Sequence, residues 1–378
     1  MKLIRYLSAH ITDDLRNKMV FIGGPRQVGK TTISLQYLPT KSISDPGYLN
    51  WDYVPIRNSI LHGKLPASPI VVLDEIHKYP KWKNLVKGLF DTRKNKQNFL
   101  VTGSAKLDYF HKSGDSMHGR YHYYRLHPFS LPELTSSATM QDLEQIFTFG
   151  GFPEPLFKQN SRSLRRWQNE RIQRVIHDDL RDLSAIHNIN LLELLVSEIP
   201  NRICSPLSIN NLAIALQVSQ PTMSHWLEML DAMYVSFRVS PFGAPQIRAV
   251  KKEQKIYLWD WSVIESPSAR FENMVASQLL KYCHYMQDWE GYKIELRYLR
   301  DTDAREIDFV VIKNKKPIFA VECKLNDSDI SPAIKYFKDR VNIPNFYQVH
   351  MGKHDYIHAD TGCRVLPFNK FCTETGMV

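Results

Sequence analysis

The chain has 378 residues, 43% hydrophobic and 23% charged, enough apolar material for two or three ordinary cores at roughly 150 residues per domain. That composition excludes a disordered chain, a collagen-like chain and a disulfide-stapled mini-protein. The 49 Lys and Arg outnumber 39 Asp and Glu for a formal charge of +10, which permits contact with nucleic acid or an anionic surface without establishing either. The longest apolar runs, residues 70–73 and 309–312, are too short to cross a bilayer, and residues 1–15 show no apolar stretch of signal-peptide length. No membrane partner is expected. Five scattered cysteines (Cys204, Cys283, Cys323, Cys363, Cys372) form no CxxC pair, which fits a reducing cytoplasm and not a zinc site.

Up to about residue 129, short apolar strands alternate with helical patterns, the signature of a parallel α/β sheet; strands are expected at 19–23, 70–73 and 99–102. Gly24, Pro25, Arg26, Gln27, Val28, Gly29, Lys30 and Thr31 fit the pattern GxxxxGK[ST] between the first strand and a helix expected over 32–38. In that context the glycines let the backbone from Gly24 to Thr32 wrap phosphate oxygens, and the helix N-terminus adds its positive end. Lys30 would reach the β- and γ-phosphates and the Thr31 hydroxyl would ligate Mg²⁺. Strand 70–73 runs into Asp74 and Glu75. Alone these would be a solvated strand end; after a phosphate loop, Asp74 would hold the metal and Glu75 would orient and deprotonate the attacking water. Strand 99–102 ends in Thr102 and Ser104, hydroxyls placed either to sense a γ-phosphate or merely to cap the strand. No Asn-Lys-x-Asp guanine-reading motif occurs, so ATP is the expected nucleotide.

The segments GPRQVGKTT, VVLDEIHKYPKWKNLVKGLFD and FLVTGS resemble the AAA+ ATPases of the AAA_14 group. The resemblance implies a homo-oligomeric ring in which an arginine of one subunit completes its neighbour's site. Within HGRYHYYRLHPFSLPEL, Arg120 is the expected finger and Arg125 the alternative, surface charge being the plain reading of both.

From about 132 to 242 the pattern is mainly helical, with long segments at 162–183 and 190–199. The run GGFPEP at 150–155 is a tight turn before a helix and resembles the opening of the companion region DUF4143. Arg162, Arg165, Arg166, Arg171 and Arg174 surround a single acid, Glu170; this is either a solvated helix face or one that touches phosphates. Residues 207–237 read as a helix-turn-helix, with helix 209–216, turn 217–219, and a second helix capped by Ser219 and begun by Pro221. The second helix exposes Thr222, Ser224 and His225. Strand 234–239 and the basic stretch 248–255 then suit a winged helix, a module that reads DNA or docks protein. Residues 241–245 and 266–268 are hinges or short surface loops.

Strands return at 255–259, 296–299, 307–312, 318–321 and 346–350, with a helix at 269–285 among them. Asp308 lies in one strand; after thirteen intervening residues come Glu322 and Lys324, two apart on the next and so on one face. D-x(n)-E-x-K is the constellation of PD-(D/E)xK nucleases, where two carboxylates bind Mg²⁺ or Mn²⁺ and the lysine activates water. A salt-bridged edge strand gives the same letters. FENMVASQLL, REIDFVV and FAVECKL resemble the C-terminal domain of DUF4143, and Glu272 looks like the additional acid such folds carry on the preceding helix. Cys323 would face the core, and His118 and His122 the surface.

The expected architecture is a multidomain α/β chain: an AAA+ P-loop parallel-sheet domain (1–131), a helical and winged-helix region (132–245), and a restriction-endonuclease-like α/β domain (246–378). The expected function is Mg²⁺-dependent ATP hydrolysis acting on DNA, such as the remodelling of branched DNA, with a nuclease-like domain that holds or cuts. The alternative is a protein-binding regulatory or signalling ATPase whose nuclease-like domain is inactive.

Overall fold

The computed structural model describes residues 4–94, 96–103, 117, 119–135, 137–180, 188–243 and 253–378, the side chains of 178–180 excepted. Two compact units emerge: Met1–His127 with Ala232–Tyr234, and Pro128–Asp231 with Val235–Val378.

The first unit runs α1 (Ser8–Asp14), β1 (Met19–Gly23), α2 (Lys30–Leu35), β2 (Tyr48–Asn50), α3 (Val54–Leu61), β3 (Ile70–Asp74), α4 (Trp82–Arg93), β4 (Asn98–Gly103) and β5 (Tyr121–Arg125). Its five strands form one all-parallel sheet in the order β2-β3-β4-β1-β5. Every residue of β1 is buried, which is why its sequence is a continuous apolar run and not an alternating one. Phe21, Leu73 and Val101 pack against Ile60 of α3 and Trp82, Val86 and Phe90 of α4. The order matters for the site. β4 sits between β1 and β3, so Thr102 lies in register with Ile22 on one side and Asp74 on the other. Helix α2 begins two residues before the expected 32 and stops at Leu35, because Gly29 turns the chain at φ 99° and makes Lys30 the first helical residue.

The second unit starts with helices α5 (Leu131–Leu134), α6 (Met140–Phe149), α7 (Pro153–Lys158), α8 (Ser161–Arg174), α9 (Ile189–Glu198), α10 (Ile209–Ala215) and α11 (Gln220–Ala232). The helix expected over 162–183 is α8 followed by a π-helical stretch, Val175–Leu180; residues 181–187 lie outside the described residues. Helices α10 and α11 are the expected helix-turn-helix. Gln217 turns at φ 53°, and the Ser219 hydroxyl accepts from Thr222 N–H at 3.2 Å.

A mixed eight-stranded sheet follows: β6 (Ser236–Pro241), β7 (Lys255–Leu258), β8 (Ile294–Arg300), β9 (Glu306–Lys313), β10 (Lys316–Cys323), β11 (Phe346–His350), β12 (Tyr356–Ile357) and β13 (Arg364–Pro367), in the order β12-β13-β11-β10-β9-β8-β6-β7. Helices α12 (Pro267–Asp288), α13 (Pro332–Lys338) and α14 (Phe368–Glu374) accompany it. Segment 266–268 opens a helix: Ser266 caps α12 by accepting from Ala269 N–H at 3.5 Å, with Pro267 as the first helical residue. Strand β6 changes partner along its length. Ser236 to Val239 pair antiparallel with β7, whereas Ser240 and Pro241 pair parallel with β8. The β6–β7 pair, where the winged helix was expected, is therefore continuous with the large sheet, and Tyr257 of β7 meets Phe309 of β9 with ring centroids 5.6 Å apart. Residues 244–252, which include part of the expected basic stretch and of the 241–245 hinge, lie outside the described residues.

Candidate functional site

The phosphate-loop residues close round their own lysine. Gly24 adopts φ 154°, and a Cβ there would stand 2.4 Å from the Leu126 carbonyl oxygen, so only glycine lets the loop leave β1 this close to the chain beyond β5. Lys30 is 5% exposed, and its ammonium donates to the carbonyls of Gly24 (2.9 Å) and Pro25 (2.7 Å). Next to it, Thr31 Oγ1 donates to Asp74 Oδ2 at 2.9 Å. Two further hydroxyls converge on the same carboxylate: Tyr48 donates to Oδ2 at 2.6 Å and Thr102 to Oδ1. Burial and the Asp74 charge push the Tyr48 phenol well above its ordinary value, so it remains a donor. A hydroxyl beside a carboxylate, at the mouth of a loop whose lysine is held by exchangeable carbonyl partners, is the donor set that a magnesium nucleotide requires.

Glu75 ends β3 in the left-handed region at φ 58°, a costly conformation for a side chain this long. Its Oε2 lies 3.7 Å from His77 Nε2 and 3.9 Å from Lys78 Nζ. Burial lowers the pKa of His77 and favours its neutral form, so it does not clamp Glu75 as a full counter-charge.

In the second unit, Asp308 and Glu322 come from the adjacent strands β9 and β10, and Glu272 from α12. A lysine stands among them. Lys255 of β7 is fully buried, its ammonium 3.4 Å from Glu272 Oε1 and 4.0 Å from Asp308 Oδ1, and it is ion-paired with Glu306 Oε1. Several of these carboxylates have further partners. Asp308 Oδ2 accepts from Cys323 N–H at 2.8 Å, Glu272 Oε1 from Tyr257 OH at 2.8 Å, and Glu306 Oε2 from Arg300 at 2.8 Å. Glu322 Oε1 takes Lys324 at 2.8 Å and Ser331 at 3.0 Å, while its Oε2 is buried without a hydrogen-bond partner. Burial, reinforced by Asp308, lifts Glu272 to about 8 and Glu322 to about 7; burial also raises Asp308. Burial alone would lower Lys255, but Glu272, Asp308 and Glu306 reverse that and keep it charged. Among the described residues no group of three or more His, Cys, Asp or Glu side chains is placed to hold a metal ion. The Lys255 ammonium thus stands against Glu272 and Asp308, whereas Glu322 is engaged by Lys324 and Ser331.

Three family models match the chain in succession: an AAA domain (AAA_14) over residues 16–135, a domain of unknown function (DUF8612) over 140–269, and the domain of unknown function DUF4143 over 268–371. The chain carries an AAA domain and a DUF4143 domain. It is also similar, at 22% identity over 361 residues, to Uncharacterized protein Mb2031c of Mycobacterium bovis and Uncharacterized protein Rv2008c of Mycobacterium tuberculosis. Each match covers 92% of this chain and 79% of the relative.

In the AAA domain the two arginine candidates lie at opposite ends of one strand. Arg125 closes β5 in register with Gly23, beside the nucleotide loop. Arg120 precedes β5 at its other end, where its guanidinium pairs with Asp91 of α4 at 2.9 Å, and so cannot serve its own loop. Ser104 lies outside the described residues. Sequence reasoning missed Arg5, which is buried against the loop and donates to the Val28 carbonyl at 3.0 Å and to the His127 carbonyl. It also missed Tyr48, on a three-residue edge strand with no motif. Around Asp308 it missed Glu306 of the DUF4143 match, and Lys255 and Tyr257, which lie in the DUF8612 match. The helix face expected from five arginines is reduced by one: Arg171 is buried, 4.4 Å from the Phe152 ring centroid and 5.8 Å from that of Trp167. No helix among the described residues is long and apolar enough to cross a membrane.

Proposed function

We propose that this protein is a ring-forming, magnesium-dependent ATPase that acts on DNA, its C-terminal domain holding nucleic acid. The hydroxyl–carboxylate pair Thr31–Asp74 beside Lys30 carries the reading of ATP hydrolysis. Lys30 would exchange its two carbonyl partners for β- and γ-phosphate oxygens, and Thr31 and Asp74 would hold Mg²⁺. Bound there, the ion would neutralise charge developing on the phosphates. Glu75 would take the proton of the attacking water, its left-handed backbone setting the carboxylate beyond the strand end. Thr102, fixed to Asp74, would link the neighbouring strand to the state of that carboxylate.

Two features support the nucleic-acid half. Arg162, Arg165 and Arg166 lie on the outward face of α8, available to phosphates. Beside the DUF4143 pocket, a groove of about 600 Å³ is lined by Arg305, Lys335 and Tyr336. The Tyr336 ring has the guanidinium carbons of Arg305 and Arg340 at 4.2 and 4.3 Å from its centroid, which gathers two cations at the groove for a phosphate backbone. The decisive measurement is ATPase rate with and without duplex, single-stranded and branched DNA. Stimulation of several-fold by at least one is expected. Rates indifferent to all three would favour the second reading, a regulatory ATPase that docks protein, which the exposed Ile214, His225 and Glu228 of the helix-turn-helix support.

A further inference from the structure

The residues of the DUF4143 pocket disagree with the divalent-cation chemistry that its D-x(n)-E-x-K pattern implies. We infer that Lys255 is the resident cation of this pocket, so that the domain is assembled without a metal and does not cut nucleic acid. This goes beyond the ATPase reading and is independent of it, because it concerns residues outside the phosphate loop and its partner strands.

A divalent ion in such a site needs several carboxylate oxygens turned toward one point at 2.0–2.6 Å. Here Glu272, Glu306 and Asp308 turn toward an ammonium instead. Lys255 faces Glu272, Glu306 and Asp308 with three N–H donors, and nothing of it is exposed. Around these groups, Lys255, Arg300 and Lys324 stand as three cations against the four carboxyl groups of Glu272, Glu306, Asp308 and Glu322. A divalent ion entering within about 4 Å of the ammonium would meet strong like-charge repulsion in a buried, weakly screened site. Expelling the lysine would instead break its ion pairs with Glu272, Glu306 and Asp308 at once. The Tyr298 ring, 5.4 Å from Lys255 Nζ, adds a further favourable face for the ammonium. One orphan oxygen, Glu322 Oε2, does not make a cation cage.

The reason the sequence pattern misleads is topological. Asp308, Glu322 and Lys324 are close in sequence, but Lys255 arrives on a strand more than fifty residues upstream, carried in by the change of partner in β6.

The test uses the full chain, free of nucleotide and stripped by chelator, in an Asp74→Asn background that removes the other cation site. Melting is followed with and without millimolar Mn²⁺. The Asp74→Asn protein alone should show no Mn²⁺-dependent shift. Adding Lys255→Met should lower its melting temperature, and Mn²⁺ should restore part of the loss unless Glu272→Gln is also present. Stabilisation by Mn²⁺ with Lys255 in place, lost on Asp308→Asn, would overturn the inference. So would a Lys255→Met protein as stable as its parent. Should Lys255→Met fail to fold, Mn²⁺ binding followed by electron paramagnetic resonance on the Lys255-containing protein decides alone: no stoichiometric binding upholds the assignment, and binding that depends on Asp308 refutes it.

Discussion

Asp74 accepts three hydroxyl hydrogen bonds, from Thr31, Tyr48 and Thr102, and at 3% exposure no bulk water stands by to replace any of them. A hydrogen bond to a charged acceptor contributes about 1.5–3 kcal/mol. Tyr48→Phe should therefore raise the KM for magnesium-ATP about tenfold with little change in kcat, measured as ATPase rate across a magnesium titration. An unchanged KM would mean that Tyr48 does not hold the carboxylate. At Glu75, the Gln variant should bind ATP like the wild type and lose hydrolysis by about 10²–10⁴-fold. Lys30→Ala hydrolysing at the wild-type rate would remove the loop from the reaction altogether. The sequence made Lys30, Thr31, Asp74 and Glu75 readable because each belongs to a local pattern with a known mechanism. Tyr48 and Arg5 were unreadable for the converse reason: their partners are reached only through the sheet order and the fold of the N-terminal segment.

Helix α8 shows how far an element can be judged from its letters. Five arginines in fourteen residues look like one charged face, yet helical geometry turns Arg171 inward onto Phe152 and Trp167 while Arg162, Arg165 and Arg166 stay outside. The two kinds should behave differently. Each outward arginine changed to glutamine should remove about 0.9 unit from the log–log salt dependence of DNA binding if it touches a phosphate, and leave melting unchanged. Arg171→Met should instead lower stability by about 3 kcal/mol, because the buried Asp260 loses its compensating charge. If the outward variants leave the salt slope untouched, α8 is only a solvated face. Strands β6 to β11 of the C-terminal sheet were legible from their apolar runs, whereas the short β12 and β13 were not. The partner change of β6 was not, since nothing in the residues 236–241 marks where one ladder ends and the next begins.

At the scale of the whole molecule, Arg120 sits at the far end of β5 from its own loop, as an arginine offered to a neighbouring copy would. Arg120→Ala should leave nucleotide binding intact and slow turnover about 10³-fold or more in a ring of subunits. Full activity in a protein that light scattering shows to be a monomer, with and without ATP, would exclude the ring. The partner change of β6 has a consequence for dissecting the chain. A fragment beginning at residue 246 would leave β7 without the ladder from Ser236 to Val239 and would open the edge of β8 at Arg297 and Tyr298. Unpaired strand edges recruit other chains. That fragment should elute as aggregate on size exclusion, whereas one beginning at Pro128 keeps both ladders and should run as a discrete species. The helix-turn-helix and the C-terminal sheet would then be inherited, lost and exchanged between proteins as a single piece.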